Sequence, residues 1–116
     1  MQRKNLDFME TIFGKIARGE VAVSFVYEDE LCVAFPDNAP VAPVHILVIP
    51  RHPFEDAYDA DAQTLGHLMQ VAAKLGAQNC PDGFRLVINT GAEGGQSVQH
   101  VHVHVLGGRE MKWPPG

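Results

Sequence analysis

Six residues near the C-terminus, His100-Val101-His102-Val103-His104-Val105, place histidine and valine in strict alternation. Period two belongs to an extended chain, in which successive side chains point to opposite faces. Valine suits that setting because its branched Cβ fits a pleated, half-buried surface. The pattern predicts a strand over 98–106, with the three valines and Leu106 buried one way and three imidazoles lining the other face. Same-face neighbours on such a strand lie roughly 6.5–7 Å apart. Histidine is the one side chain whose ordinary pKa, about 6.5, allows nucleophile, acid and base roles near neutral pH. Three in one row make a reaction surface.

A single histidine on a strand is ordinarily a satisfied polar residue of intermediate burial. Three at period two each need a partner if buried, so a purely structural role accounts for them poorly. A metal site is a second reading, since His-x-His on a strand can chelate zinc. It lacks thiolate support, because Cys32 and Cys80 stand apart with no Cys-x-x-Cys. A third reading is phosphoryl or nucleotidyl transfer, in which one imidazole attacks phosphorus while its neighbours neutralise the equatorial oxygens. The upstream segment Asn89-Thr90-Gly91-Ala92-Glu93-Gly94-Gly95-Gln96-Ser97 favours the third. Such a loop serves as a plain hairpin connection, but its glycines also let backbone N–H groups close on an anion. Ser97 sits at the mouth of the histidine strand, with a hydroxyl that donates or accepts a proton.

Length and composition set the bounds. At 116 residues the chain is one domain (1–116), large enough for a single core. A net charge of −5, with nine scattered Lys and Arg, argues against nucleic acid or an anionic membrane as partner. Residues 1–7 lack the apolar stretch of a signal peptide, and the longest apolar run, 44–50, is far short of a membrane span. Two distant cysteines without such a signal read as free thiols in a reducing cytoplasm.

Asp7-Phe8-Met9-Glu10 has the form of a capping box and predicts a helix through about Arg18, stopped by Gly19, behind a short tail over about 1–6. Segments 24–28 and 31–35 read as a hairpin, and Pro36, Pro40 and Pro43 fix the shape of the following loop. Val44-His45-Ile46-Leu47-Val48-Ile49 is apolar on both faces and predicts a central strand. From 61 to about 79, Leu65, Leu68, Met69, Ala72, Leu75 and Gly76 recur at helical spacing. Strands over 84–89 and 98–106 complete an α+β fold: a five-stranded antiparallel sheet with two helices packed on one face. His52 and His67 read as exposed residues without a role. The segment 84–89 has neither proline nor lysine to protect an edge, so it predicts a twofold homodimer with the sheet extended across it. The tail over about 109–116 carries Trp113, which docks on its own subunit or against a partner's pocket.

His100-Val101-His102-Val103-His104-Val105-Leu106 matches without departure the signature of the histidine-triad (HIT) superfamily, His-φ-His-φ-His-φ-φ with φ apolar. Thr11-Ile12-Phe13-Gly14-Lys15-Ile16, Phe35-Pro36-Asp37, Ala42-Pro43-Val44-His45, Gly94-Gly95-Gln96-Ser97-Val98 and the ending Trp113-Pro114-Pro115-Gly116 resemble its Hint branch, the nucleoside phosphoramidate hydrolases. Gln99 stands where relatives commonly carry an aromatic residue, on the side of the valines or the dimer surface. The resemblance implies cleavage of purine nucleoside 5′-phosphoramidates through a covalent nucleotidyl-histidine. It makes His102 the nucleophile, His104 the group that binds or protonates phosphate oxygens, and His100 and His45 their supports. Ser97 assists departure of the amine. Asp37 suits both ribose hydroxyls. Ile12, Phe13, Ile16 and Phe35 resemble the walls of the base slot, and Asn89 a hydrogen-bond donor near the phosphate or leaving group. Gly95, Gln96, Val98 and Trp113 complete the substrate-contacting set. No metal or other cofactor is implied, the positive field coming from imidazolium and backbone N–H groups. The alternatives are dinucleoside polyphosphate hydrolysis, as in the Fhit branch, and a nucleotide-sensing interaction module with incidental catalysis.

Overall fold

A computed structural model of the chain describes residues 10–116. Its elements are α1 (Ile12–Ala17), β1 (Tyr27–Glu28), β2 (Cys32–Pro36), β3 (Val44–Pro50), α2 (Ala62–Asn79), β4 (Phe84–Val87) and β5 (Val103–Gly107). Among the described residues the strands form one sheet in the order β1-β2-β3-β5-β4, with every neighbouring pair antiparallel. β3 is central, as its two apolar faces require.

The helices cover opposite faces of the sheet, which corrects the one-face arrangement expected above. Cys32, Ala34, Ile46 and Val48 point with Val103 and Val105 toward Leu68, Val71, Ala72 and Leu75 of α2. Val33, Phe35, Leu47 and Ile49 point the other way and pack with Phe13, Ile16 and Ala17 of α1. Burying a large aliphatic or aromatic side chain is worth roughly 1.5–3 kcal/mol, so two apolar faces demand two covers.

α1 starts at Ile12, where the Thr11 hydroxyl accepts the Gly14 N–H at 3.0 Å. The predicted opening at Asp7 and the tail over 1–6 lie outside the described residues. Glu10, the other half of the expected capping box, instead receives the Arg18 guanidinium at 2.7 Å. On α2, Asp61 caps the helix through the Thr64 N–H, and Val71 takes the buried place expected for Met69, which is exposed. His67 is half-buried rather than exposed, with Nε2 2.7 Å from Asp29 Oδ2. Asp29 also accepts the Tyr27 hydroxyl and the N–H groups of Leu31 and Cys32. Burial opposes ionisation there, but these donors hold the Asp29 carboxyl well below the usual carboxylate range. The hub ties the β1–β2 turn to α2. Asp29, Cys32 and His67 lie at metal-ligand spacing, yet the carboxylate is already occupied by four donors.

The main departure from the sequence pattern is at β5, which begins at Val103 rather than 98. Upstream, one side chain and one backbone amide bond to the segment that leaves the sheet after β3. The His100 Nε2–H donates to the Pro50 carbonyl at 2.8 Å, and the Val101 N–H to the Phe54 carbonyl at 2.8 Å. The alternation of faces survives this detour: Val101 joins Val103 and Val105 in the core against α2. Leu106 is corrected to the imidazole side, where its even parity with His104 places it and where it lines the same cavity. Gln99 is exposed and does not pack with the valines. β1 and β4 are shorter than the segments expected at 24–28 and 84–89. β4 is a sheet edge in this chain. Beyond Gly107 the tail lies across it, with the Arg85 guanidinium donating to the Lys112 carbonyl at 2.7 Å. Trp113 remains 83% exposed, so it does not dock on its own subunit. Among the described residues no helix is long and apolar enough to cross a membrane.

Candidate active site

The imidazole face of the sheet opens into a cavity of about 630 Å³ between α1, the loop after β2 and the ends of β4 and β5. His45, His102 and His104 line it, together with Ile12, Phe13, Ile16, Phe35, Asp37, Asn89, Ser97 and Val98. Most of the residues singled out in the sequence therefore meet in one place. His100, Gly95, Gln96 and Trp113 do not line the cavity. His100 is wholly buried behind it.

The tautomers are set by backbone partners. His102 Nδ1 is 2.9 Å from the His100 carbonyl, which can only accept, so Nδ1 carries the proton and Nε2 holds a lone pair. The His100 ring is fixed through Nε2–H to Pro50, leaving its Nδ1 buried with no hydrogen-bond partner among the described residues. The Val41 N–H donates to His45 Nδ1 at 3.1 Å, so His45 Nε2 carries the proton and donates to His104 Nδ1 at 2.9 Å. His104 in turn must bear its proton on Nε2. The outcome is a complementary pair: a free imidazole lone pair on His102 beside an N–H donor on His104, their ring centres 4.9 Å apart. Phe13 braces the arrangement, its ring meeting that of His102 edge-on at 4.9 Å.

Burial disfavours the charged form of the three triad rings. It lowers the pKa of His100 and His102, and burial with the neighbouring His102 and His45 lowers that of His104 to about 4. Charge is thus disfavoured on His100, His102 and His104, whose rings are taken out of water. The glycine loop is also less open to an anion than its composition suggests. The Gly95 N–H donates to Ala92, the Gln96 N–H to the Gly91 carbonyl, and the Gly91 N–H to Gln96 Oε1. Gly94 is obligatory there, since a Cβ would fall 2.1 Å from the Thr90 carbonyl oxygen. Gly95 has φ +80°, which favours glycine.

Asp37 is half-buried at the cavity wall. One oxygen accepts the Ala39 N–H at 2.8 Å, and the other lies 3.3 Å from His45 Nε2. Asp37, His45 and His104 are at metal-ligand spacing. The donor set does not fit a cation as it stands, because His45 Nδ1 is occupied by the Val41 N–H, and coordination at Nε2 would require an imidazolate. Asn89 donates to the Gly94 carbonyl at 2.7 Å and so braces the loop as well as lining the cavity. Val41, Val87 and Leu106 also form cavity walls and were not foreseen. For Leu106 parity with His104 was a sufficient signal; Val41 and Val87 carry none in the sequence.

The family model of the HIT domain matches residues 18–111. An uncharacterized HIT-like protein of Synechococcus elongatus is 53% identical over 111 residues, covering 92% of this chain and 97% of the relative. Among solved structures, a HIT family hydrolase from Legionella pneumophila superposes with a TM-score of 0.86 at 41% identity, over 92% of this chain and all of that one. A histidine triad nucleotide-binding protein from Candida albicans superposes with a TM-score of 0.75 at 30% identity, over 83% of this chain and 73% of that one.

Proposed function

The chain belongs to the HIT family, and on that premise we propose that it is a nucleotide-binding hydrolase that cleaves purine nucleoside 5′-phosphoramidates to a nucleoside monophosphate and an amine. The observation that carries this reading is the neutral His102, with its Nδ1–H fixed on the His100 carbonyl and its Nε2 lone pair free at the cavity. In the first step His102 Nε2 attacks the α-phosphorus in line with the departing nitrogen. The new N–P bond forms as the substrate P–N bond breaks, and the amine leaves with a proton relayed from solvent through the exposed Ser97 hydroxyl, a proton that the attacking water of the second step gives back. His104 Nε2–H holds a nonbridging phosphate oxygen, its tautomer maintained by His45. In the second step water attacks phosphorus, the nucleotidyl–histidine bond breaks, and His102 recovers its lone pair. Asp37 accepts the ribose hydroxyls, and Ile12, Phe13, Ile16 and Phe35 receive the base. Apolar walls read base shape without sharp discrimination.

The chemistry of the cavity supports a phosphoramidate over a dinucleoside polyphosphate. Among the described lining residues there is no lysine or arginine. A polyphosphate leaving group would bring several further negative charges into a low-dielectric cleft that offers them no cation. The β4 edge and the undocked Trp113 support a twofold dimer in which the tail reaches the partner's site. Two buried free cysteines suit a reducing cytoplasm. The test is steady-state hydrolysis of adenosine 5′-phosphoramidate against a diadenosine polyphosphate. The expected result is kcat/KM higher for the phosphoramidate by roughly two orders of magnitude, the scale of uncompensated charge burial. Equal or reversed efficiencies would overturn the assignment.

A further inference from the structure

Gln96 does not face the cavity. It is 8% exposed, and its carboxamide lies between three separate pieces of backbone. Oε1 accepts the Gly91 N–H at 3.0 Å, while Nε2 donates to the Glu55 carbonyl at 2.8 Å and the Val98 carbonyl at 3.0 Å. The Glu55 carbonyl belongs to the same 50–55 segment whose Pro50 and Phe54 carbonyls hold His100 and Val101. One side chain therefore joins the start of the glycine loop, the approach to the histidines and the segment that anchors them. Ser97 lies between Gln96 and Val98, both of which this carboxamide fixes. Its side chain lines the cavity and has no hydrogen-bond partner of its own among the described residues. Its place at the mouth is thus set by the backbone on either side.

We infer that Gln96 is a positioning residue for the departure step: its buried carboxamide clamps the glycine loop to the 50–55 segment and so holds the Ser97 hydroxyl where the amine leaves. The inference rests on the hydrolase reading above. Carboxamide chemistry is essential, because the three partners need two donors and one acceptor from a single planar group. Glutamate would turn an anion toward two carbonyl oxygens, and methionine would offer neither donor.

The test compares Gln96→Met with the wild-type chain on two adenosine 5′-monophosphate derivatives differing only in the leaving group. One carries an alkylamine in a P–N bond, which must be protonated to leave, and the other p-nitrophenol in a P–O bond, which leaves as the weakly basic phenolate. The expected result is a loss in kcat of roughly tenfold to a hundredfold on the alkylamine substrate, the scale of a lost proton-transfer contribution. Loss on the nitrophenyl ester is smaller than about threefold, and KM changes by less than about twofold on both, because only proton delivery depends on the clamp. Ser97→Ala gives the same selectivity, and the double variant falls no further than either single one. Equal loss on both substrates, or losses that multiply, would overturn the assignment while leaving the hydrolase reading intact. A wild-type chain inactive on both substrates refutes that reading and with it the role in departure. Hydrogen exchange at the Gly91 and Gln96 amides still decides the clamp, faster exchange in Gln96→Met supporting it and unchanged exchange refuting it. Should the methionine variant not fold, Gln96→Glu undergoes the same assays with the same expected selectivity.

Discussion

Residues 100–105 supply both the driest and the most reactive parts of this molecule. On one side Val101, Val103 and Val105 vanish into the core against α2, where they need nothing from their neighbours except contact. On the other side His100 and His102 are buried nearly as deeply, but each places a ring N–H on a backbone carbonyl. The valine face is held by area, and any apolar side chain of similar volume would serve. The histidine face is held by directed bonds, which fix a tautomer and leave one lone pair free. Equal burial thus has opposite meanings: stability on one face, a reserved reactive atom on the other.

The largest expected effect separates the two faces outright. His102→Ala removes the proposed nucleophile and should lower turnover by about three orders of magnitude or more, since a covalent nucleophile has no substitute. The variant should still unfold cooperatively, which circular dichroism in urea would check. Val103→Ala is the reciprocal case. Losing two buried methyl groups and leaving a cavity should lower stability by about 2 kcal/mol, with kcat of the folded fraction unchanged. A Val103 variant that lost activity in proportion to His102→Ala would break the comparison.

Asp37→Ala probes the rim of the reactive face. It should weaken transition-state binding of ribonucleotide substrates by roughly 1–3 kcal/mol while affecting deoxyribose substrates little. An unchanged ribose-to-deoxyribose ratio would make Asp37 a loop residue that serves only the Ala39 N–H.

The smallest effect is in pH. Burial depresses the pKa of His100, His102 and His104, the last to about 4. Between that value and the ordinary value of about 6.5 the unfolded chain binds protons that the native chain refuses. Stability is therefore complete above about pH 6.5 and declines as pH falls toward 4, by up to about 1.4 kcal/mol per pH unit for His104, with His100 and His102 adding in the same direction. The valine face has no part in this, so Val103→Ala should cost the same at pH 7 and pH 5. By the same shift, turnover should persist at pH 6, its acid limb lying below the ordinary imidazole value. A limb centred at 6.5 or above would mean that the rings are not desolvated as described.

The alternation itself was fully legible, and so were the central position of β3 and most of the cavity lining, because period-two and period-3.6 patterns are local. What could not be read depended on distant partners. β5 starts late because the Pro50 and Phe54 carbonyls capture His100 and Val101, and nothing near 98–102 signals those bonds. Gln96 looks like a polar loop residue until the Glu55 carbonyl is found beside it. The Val41 N–H that sets the His45 tautomer is likewise invisible in the sequence. Helices on both faces were implied by the two-sided apolar character of 32–35 and 44–49, and Leu106 by its parity with His104. Both are local features of the pattern.

The central claim is that His102 Nε2 is the reactive lone pair of the cluster. Quenching the chain with denaturant at alkaline pH during turnover of an adenosine phosphoramidate, conditions that preserve the acid-labile P–N bond of the adduct, followed by mass mapping of the modified peptide, tests it most directly. The account predicts a nucleotidyl group on His102, absent in His102→Ala, with net retention of configuration at phosphorus from two in-line displacements. An adduct on His100 or His104, or inversion at phosphorus through direct attack by water, would contradict it.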